Sequence, residues 1–283
     1  MNAKRLSSYL LHTLLYGFAA LTLVPFAYML CGAVKSKFDF AASVFLPAGD
    51  GWFGIGWNRL TFGNFISLYT DLGLPRALQN SLLLASVHAI LTVLFCAMGG
   101  YALAKLHFRG RTLVMGVVLA ALIIPGPLLL APSFQLLYKL DLLNTYTGLI
   151  LPGLTPAFGV FLFRQSMLNS VPTELLEAAR MDGAGEFRIF FELVLPLVRP
   201  MLGAFLMISF MGTWNNFIGP QIILQSPELQ PLSVALNNLK GLYGTDYGLI
   251  MAGTIVSISP VMCLFLLLQK EFISGLTSGA VKG

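Results

Sequence analysis

The sequence predicts an all-α fold, a polytopic membrane protein with six transmembrane helices. Three observations predict it. Only 10% of the 283 residues are charged and 57% are hydrophobic, whereas a soluble domain carries roughly 25% charged residues. Six apolar runs follow one another along the chain, none with an Asp, Glu, Lys or Arg between its ends, and each is near the ~20 residues a helix needs to cross a bilayer. The remaining charges gather in the connections, eight of them between Thr173 and Pro200.

Taken in order, Lys4 and Arg5 precede a first run over 10–34. It is longer than the roughly 7–15 apolar residues of a signal-peptide core. Leu30 before Cys31 lacks the small residue of a lipoprotein cleavage site, so the run reads as a retained span. Residues 35–76, interrupted by Pro47, Gly49, Gly51, Gly54 and Gly56, read as an outer loop. The second span is 77–104, followed by a basic turn at 105–111. The third is 112–131, broken by Pro125 and Pro127, with a loop at 132–144. The fourth is 145–163, containing Pro152 and Pro156. A polar island at 164–200 precedes the fifth span, 201–224, which ends near Pro220. A loop at 225–247 leads to the sixth span, 248–269, and a short tail. The organisation is thus an N-terminal stub, first span and outer loop (1–76), a five-helix core (77–270) and a C-terminal tail (271–283).

Six spans place both termini on one side, and Lys and Arg favour the cytoplasmic side. The face holding the termini, the basic turn and the island has eleven Lys/Arg, and the opposite face has six. Both termini are therefore expected in the cytoplasm, with the chain multi-pass in its membrane. Six acidic residues on that face leave it at the whole net charge of +5. A basic cytoplasmic rim accounts for a pI near 9.2 without nucleic acid.

The island reads as two short helices. Pro172 disfavours a helical Val171, and Thr173 is the expected N-cap. Glu174 falls in the first turn, where the helix dipole favours an anion. Leu175, Leu176, Ala178 and Ala179 make an apolar stripe, while Glu177, Arg180 and Asp182 project elsewhere. Gly183 offers the positive φ that ends a helix. A second amphipathic piece, 186–195, runs until Pro196 interrupts it. Such an island suits a partner protein, or a helix lying on lipid headgroups.

Several classes lose support. Cys31, Cys96 and Cys263 each sit in an apolar run, against a disulfide framework or a metal cage. His12, His88 and His107 lack ligand spacing. Spans without charges weaken ion coupling, although sodium sites of carbonyls and hydroxyls exist. No Gly-Lys dipeptide occurs, so no phosphate-binding loop of the usual kind is present. No catalytic constellation stands out. If the chain moves a solute uphill, a partner must supply the energy, through the island. Prolines in five of the spans suit a bundle that rocks, or are simply tolerated there. In the fifth span, Asn215 and Asn216 want a polar cavity or an interhelical partner, and Trp214 offers a flat face to a solute ring.

Glu177-Ala178-Ala179, then Gly183, then Leu195-Pro196 resemble the EAA motif of ABC importer permeases, with Leu193 where that pattern has Ile. Asp182-Gly183-Ala184 resembles the carbohydrate-importer version, although Gly185 replaces its frequent Ser. Trp214-Asn215-Asn216 and the tail from Gly275 to Gly283 resemble the maltose-type permease that has a short outer first loop. The resemblance runs through most of the chain and is weakest over 1–76. It implies a type I ABC importer permease fold, a place in the bacterial plasma (inner) membrane and import of a sugar. It also implies a second related permease, two ATPase subunits that bind the ATP and Mg, and an extracytoplasmic solute-binding protein contacting 225–247. Glu174, Glu177, Ala178, Ala179, Asp182 and Gly183 would form a coupling helix seated on the ATPase. Gly279, Ala280, Val281, Lys282 and Gly283 would reach between the ATPases. Trp214, Asn215 and Asn216 would border the solute path. A permease for glycerol phosphate or another polyol, or an ion-coupled secondary transporter, is the alternative.

Overall fold

A computed structural model describes residues 3–239 and 246–278. Among these residues every regular element is a helix, apart from one isolated antiparallel bridge between Ala48 and Ile55. Three helices are long and apolar enough to cross a bilayer unaided: Ser8–Ala33, Leu74–Lys105 and Tyr247–Gly275. Three helix pairs are long and apolar enough only when taken together, and each is bent at a short break: Arg111–Ala121 with Gly126–Lys139 at 102°, Tyr146–Gly153 with Ala157–Ser170 at 46°, and Glu186–Leu197 with Arg199–Trp214 at 84°. Counting each pair as one span gives the expected six.

The bends follow from the prolines, but not always where the sequence alone places them. Pro125 and Pro127 end the third span's first leg at Ala121, and the chain then re-forms a helix at Leu130–Lys139, across what reads as a loop in the sequence. Pro156 starts a fresh helix, Ala157–Ser170, which continues seven residues past the expected end of the fourth span. Pro196 does not break its helix. A wide π turn over Phe190–Val194 lies just ahead of it, where the usual turn would press the ring on a carbonyl. Helix geometry persists to Leu197 and breaks at Val198.

The chain packs as two compact units. The first comprises Met1–Pro75 and Ala235–Ser259. Its first span is exposed from residue 8 to residue 27, with side chains such as Leu14, Phe18 and Leu21 open on all sides, as a lipid-facing helix requires. It is held at its end. Asn64 Nδ2 donates to the carbonyls of Ala33 (2.8 Å) and Lys35 (2.9 Å), groups the helix cannot satisfy itself. Lys35 is fully buried beyond that end; its ammonium donates to the carbonyls of Ser43 (2.8 Å) and Val44 (3.1 Å) and lies 5.0 Å from the Phe40 ring centroid. Burial pushes its pKa below the usual lysine value, so these acceptors are what keep the charge tolerable.

The second unit comprises Arg76–Val234 and Pro260–Gly283. Its core runs from Cys96, Ala97 and Tyr101 on the second span, through Phe163 and Met167, to Leu176, Ile189 and Val194. Gly100 lets two backbones meet, since a Cβ there would lie 2.6 Å from Phe163 Cβ and 2.8 Å from the Arg164 amide. The basic turn is structural. Arg111 donates to the carbonyls of Leu103 (2.9 Å) and Ala104 (3.1 Å), closing the negative end of the second span's helix.

Candidate functional site

Two places in the second unit carry polar chemistry. The first is the island helix, Thr173–Met181. Pro172, not Thr173, is its cap and offers no side-chain bond; Thr173 is already helical, and its hydroxyl accepts from Lys105 Nζ (3.3 Å). The far end closes as expected at Gly183, with φ +81°. The amides of Gly183 and Ala184 return to the carbonyls of Arg180 and Ala179, both 3.0 Å, which is the Schellman arrangement.

The apolar stripe divides in two. Leu176 is fully buried and Ala179 packs against the core, so these residues fasten the helix to the unit. Glu174, Leu175, Glu177, Ala178, Met181, Asp182 and Gly183 are exposed, with Met181 87% accessible. The outward surface is thus acidic at two glutamates and one aspartate with small and apolar side chains between them. A shallow cavity of about 230 Å³, lined by Ala179, Asp182, Ala184, Arg188 and Glu192 among others, adjoins it.

A polar tie joins this helix to the second span. Glu186 accepts from Arg180 Nε at 2.7 Å and from the Tyr101 hydroxyl at 2.6 Å. Tyr101 is only 4% exposed. The bond to Glu186 raises the Arg180 pKa further, so the guanidinium stays charged. The tie thus connects three elements: a membrane-crossing helix, the island helix and the leg that follows it. Glu186 and Arg180 stand out in the sequence as charges, but nothing in it pairs them with Tyr101, 85 residues earlier than Glu186.

The second place is a cavity of about 410 Å³ among the second, fourth and fifth spans. Its polar lining is Ser81, His88, Thr92, Ser209, Thr213 and Asn216, with no charged side chain. His88 sits among three elements. Its Nδ1 is 2.9 Å from Thr213 Oγ1 and 3.5 Å from Thr92 Oγ1, and a Cβ on Gly153 would come within 2.6 Å of its Nε2. Of the three residues expected on a solute path, Asn216 lines the cavity. Trp214 is 4% exposed and stacks on Phe210 (5.5 Å, 16°), and Asn215 is exposed and donates to its own helix at the Met211 carbonyl (3.0 Å). His88 and Ser209 are neutral residues in apolar runs, and only the folded neighbourhood brings them together.

The segment 225–234, which meets this cavity at Pro231, is held by side chains distant in sequence. Asn80 Nδ2 donates to the carbonyls of Glu228 (2.8 Å) and Gln230 (3.0 Å), its Oδ1 accepts from the Tyr146 hydroxyl (2.8 Å), and Ser81 Oγ accepts from the Leu232 amide (2.7 Å). Asn144 Oδ1 accepts from the amides of Gln225 and Ser226. Gly279 to Gly283, expected on the ATPases, lie outside the described residues.

The family model described as binding-protein-dependent transport system inner membrane component matches residues 95–272, which include the island helix and the fourth- and fifth-span walls of the cavity. The chain belongs to this family. The permease is 43% identical over 227 residues to an arabinooligosaccharides transport system permease protein, AraQ, of Halalkalibacterium halodurans, covering 80% of this chain and 81% of the relative. It is 32% identical to the lactose transport system permease protein LacG of Rhizobium radiobacter, over 99% and 98% of the two chains. Its fold matches a chain in the crystal structure of a bacterial ABC transporter that imports the acidic polysaccharide alginate, with a TM-score of 0.79 at 22% identity, over 96% of this chain and 98% of that one. A second structure of an alginate ABC transporter, in complex with a periplasmic protein bound to an alginate pentasaccharide, aligns at a TM-score of 0.60 and 17% identity, over 93% of each chain. The permease is accordingly an all-helical, multi-pass component of an ABC-type import system and not itself an enzyme.

Proposed function

We propose that this chain is half of the translocation pathway of an ATP-driven carbohydrate importer working by alternating access. The observation that carries this reading is the island helix, anchored inward through Leu176 and turned outward with Glu174, Glu177, Ala178, Met181 and Asp182. A surface so built, at the end of a cytoplasmic connection, suits docking into an ATPase cleft. The exposed glutamates would meet basic or amide groups there, and Ala178 and Gly183 would allow close approach.

The partners on this reading are a second related permease, two ATPase subunits that bind ATP and Mg, and a solute-binding protein outside the membrane. The segment 225–234, fastened by Asn80 and Asn144, would present the outer surface to that binding protein. Gly279 to Gly283 would contact the ATPases. The charge asymmetry supports cytoplasmic termini. Relatives that carry arabinooligosaccharides and lactose by their names, and melibiose, raffinose and stachyose by another, support a neutral oligosaccharide as solute.

Proteoliposomes holding the complete complex test the reading. Uptake of arabinotriose, lactose or raffinose is expected only with ATP inside and the binding protein outside. Accumulation driven by a sodium or proton gradient, with no ATPase subunit present, would contradict it.

A further inference from the structure

The 410 Å³ cavity lies within the roughly 300–1,000 Å³ typical of ligand pockets, and its lining has an unusual combination of properties. It holds six hydroxyl, amide or imidazole side chains between apolar helices and no Lys, Arg, Asp or Glu. Polar side chains in a membrane bundle generally pair with one another across helices. Here several do so incompletely. The Ser209 hydroxyl makes no hydrogen bond among the described residues, and the Asn216 side chain accepts from the Gly219 amide (3.2 Å) while its Nδ2 donates to none of them. Thr213 Oγ1 makes one hydrogen bond, to His88 (2.9 Å), and a hydroxyl has the capacity for more than one. Phe158, half exposed and tilted on Phe205 (6.4 Å between centroids), adds an aromatic face to the same wall.

We infer that this subunit carries a solute-binding half-site of its own, in which Ser209, Thr213 and Asn216 read hydroxyls and Phe158 stacks on the apolar face of a pyranose or furanose ring. The inference rests on the importer reading and deepens it by naming the solute chemistry. Donors and acceptors of mixed kind, without a fixed charge, match the hydroxyl groups of an uncharged sugar, each of which both donates and accepts. A phosphate or uronate has no cation here to replace its hydration, and an unpaired anion in such a wall is costly. This chain's half-site therefore favours neutral oligosaccharides over glycerol phosphate or an acidic polysaccharide. His88 positions Thr213 and does not need to touch the solute.

The test uses the full complex in proteoliposomes with ATP inside, the binding protein outside, and arabinotriose, raffinose or a uronate trisaccharide as solute. Ser209→Ala, Thr213→Val and Phe158→Ala are each expected to lower the neutral sugar moved per ATP hydrolysed by about five- to tenfold, the worth of one or two lost contacts. A second measurement does not depend on turnover. In a complex whose native cysteines are replaced by serine, the thiol introduced by Ser209→Cys is expected to react with a maleimide more slowly when the neutral sugar is present, and at an unchanged rate with the uronate. Unchanged sugar per ATP in all three variants, or equal maleimide rates with and without neutral sugar, would overturn the half-site. A wild-type complex lacking binding-protein-stimulated hydrolysis would instead defeat the importer reading.

Discussion

Glu177→Lys combined with Gly183→Asp is expected to reduce uptake to background while the chain still inserts in the membrane. Both positions are exposed on the island and neither packs into the core, so the bundle has no reason to fail. The consequences are local. Charge reversal at Glu177 sets a cation against whatever basic or amide group it meets. Asp at position 183 must occupy φ +81°, which costs a side-chain-bearing residue about 1 kcal/mol, and adds a carboxylate where glycine allows close approach. Like charges at an interface cost several kcal/mol, on the order of a 100-fold loss for each 2.8 kcal/mol. The check is ATP-dependent uptake alongside the amount of chain in the membrane fraction. Gly183→Ala alone, which keeps the open space and pays only the conformational cost, is expected to retain measurable uptake.

Glu186→Ala is expected to lower uptake about tenfold while the ATPase still binds, because it removes both halves of the tie between the second span and the island. The buried Tyr101 hydroxyl would lose its acceptor, which costs at most roughly 1–3 kcal/mol, since the Glu186 side chain is 43% exposed and water can take part of its place. Arg180 would lose its carboxylate, but it is partly exposed and water would compensate much of that. The distinguishing measurement is a double-mutant cycle with Tyr101→Phe and Glu186→Gln, reading uptake per ATP hydrolysed and ATPase affinity separately. If the tie transmits movement, the two substitutions are non-additive in coupling by about 0.5–3 kcal/mol and leave affinity nearly unchanged. Additive effects on coupling would mean that the two residues act apart.

Much of the architecture is legible in the residues before any folding is considered. Absence of charge over six runs specifies spans, and Gly183 marks its helix end because few other residues take a positive φ cheaply. Helix ends and bends near proline are harder. Pro196 reads as a stop, yet the π turn before it gives the ring room, and residues 132–139 read as loop although the helix Leu130–Lys139 runs through them. The 410 Å³ cavity is the least legible part. Asn216 and Trp214 look equivalent in a polar patch, but the helix ending at Trp214 sends one into the cavity and the other onto Phe210. His88, Ser209 and Asn80 are unremarkable in one dimension, since a lone neutral polar residue in a span acquires meaning only from its neighbours. The Tyr101–Glu186–Arg180 tie is hidden for the same reason.

The most direct measurement places a thiol at the island through Glu177→Cys, in a chain whose Cys31, Cys96 and Cys263 are replaced, and joins it to its nearest neighbour with a short bifunctional reagent. The account predicts a cross-link to an ATPase subunit, formed from the cytoplasmic side and altered in yield when ATP is bound. Reaction of that thiol with a membrane-impermeant reagent added from outside intact cells, or no cross-link to any ATPase subunit, would contradict it.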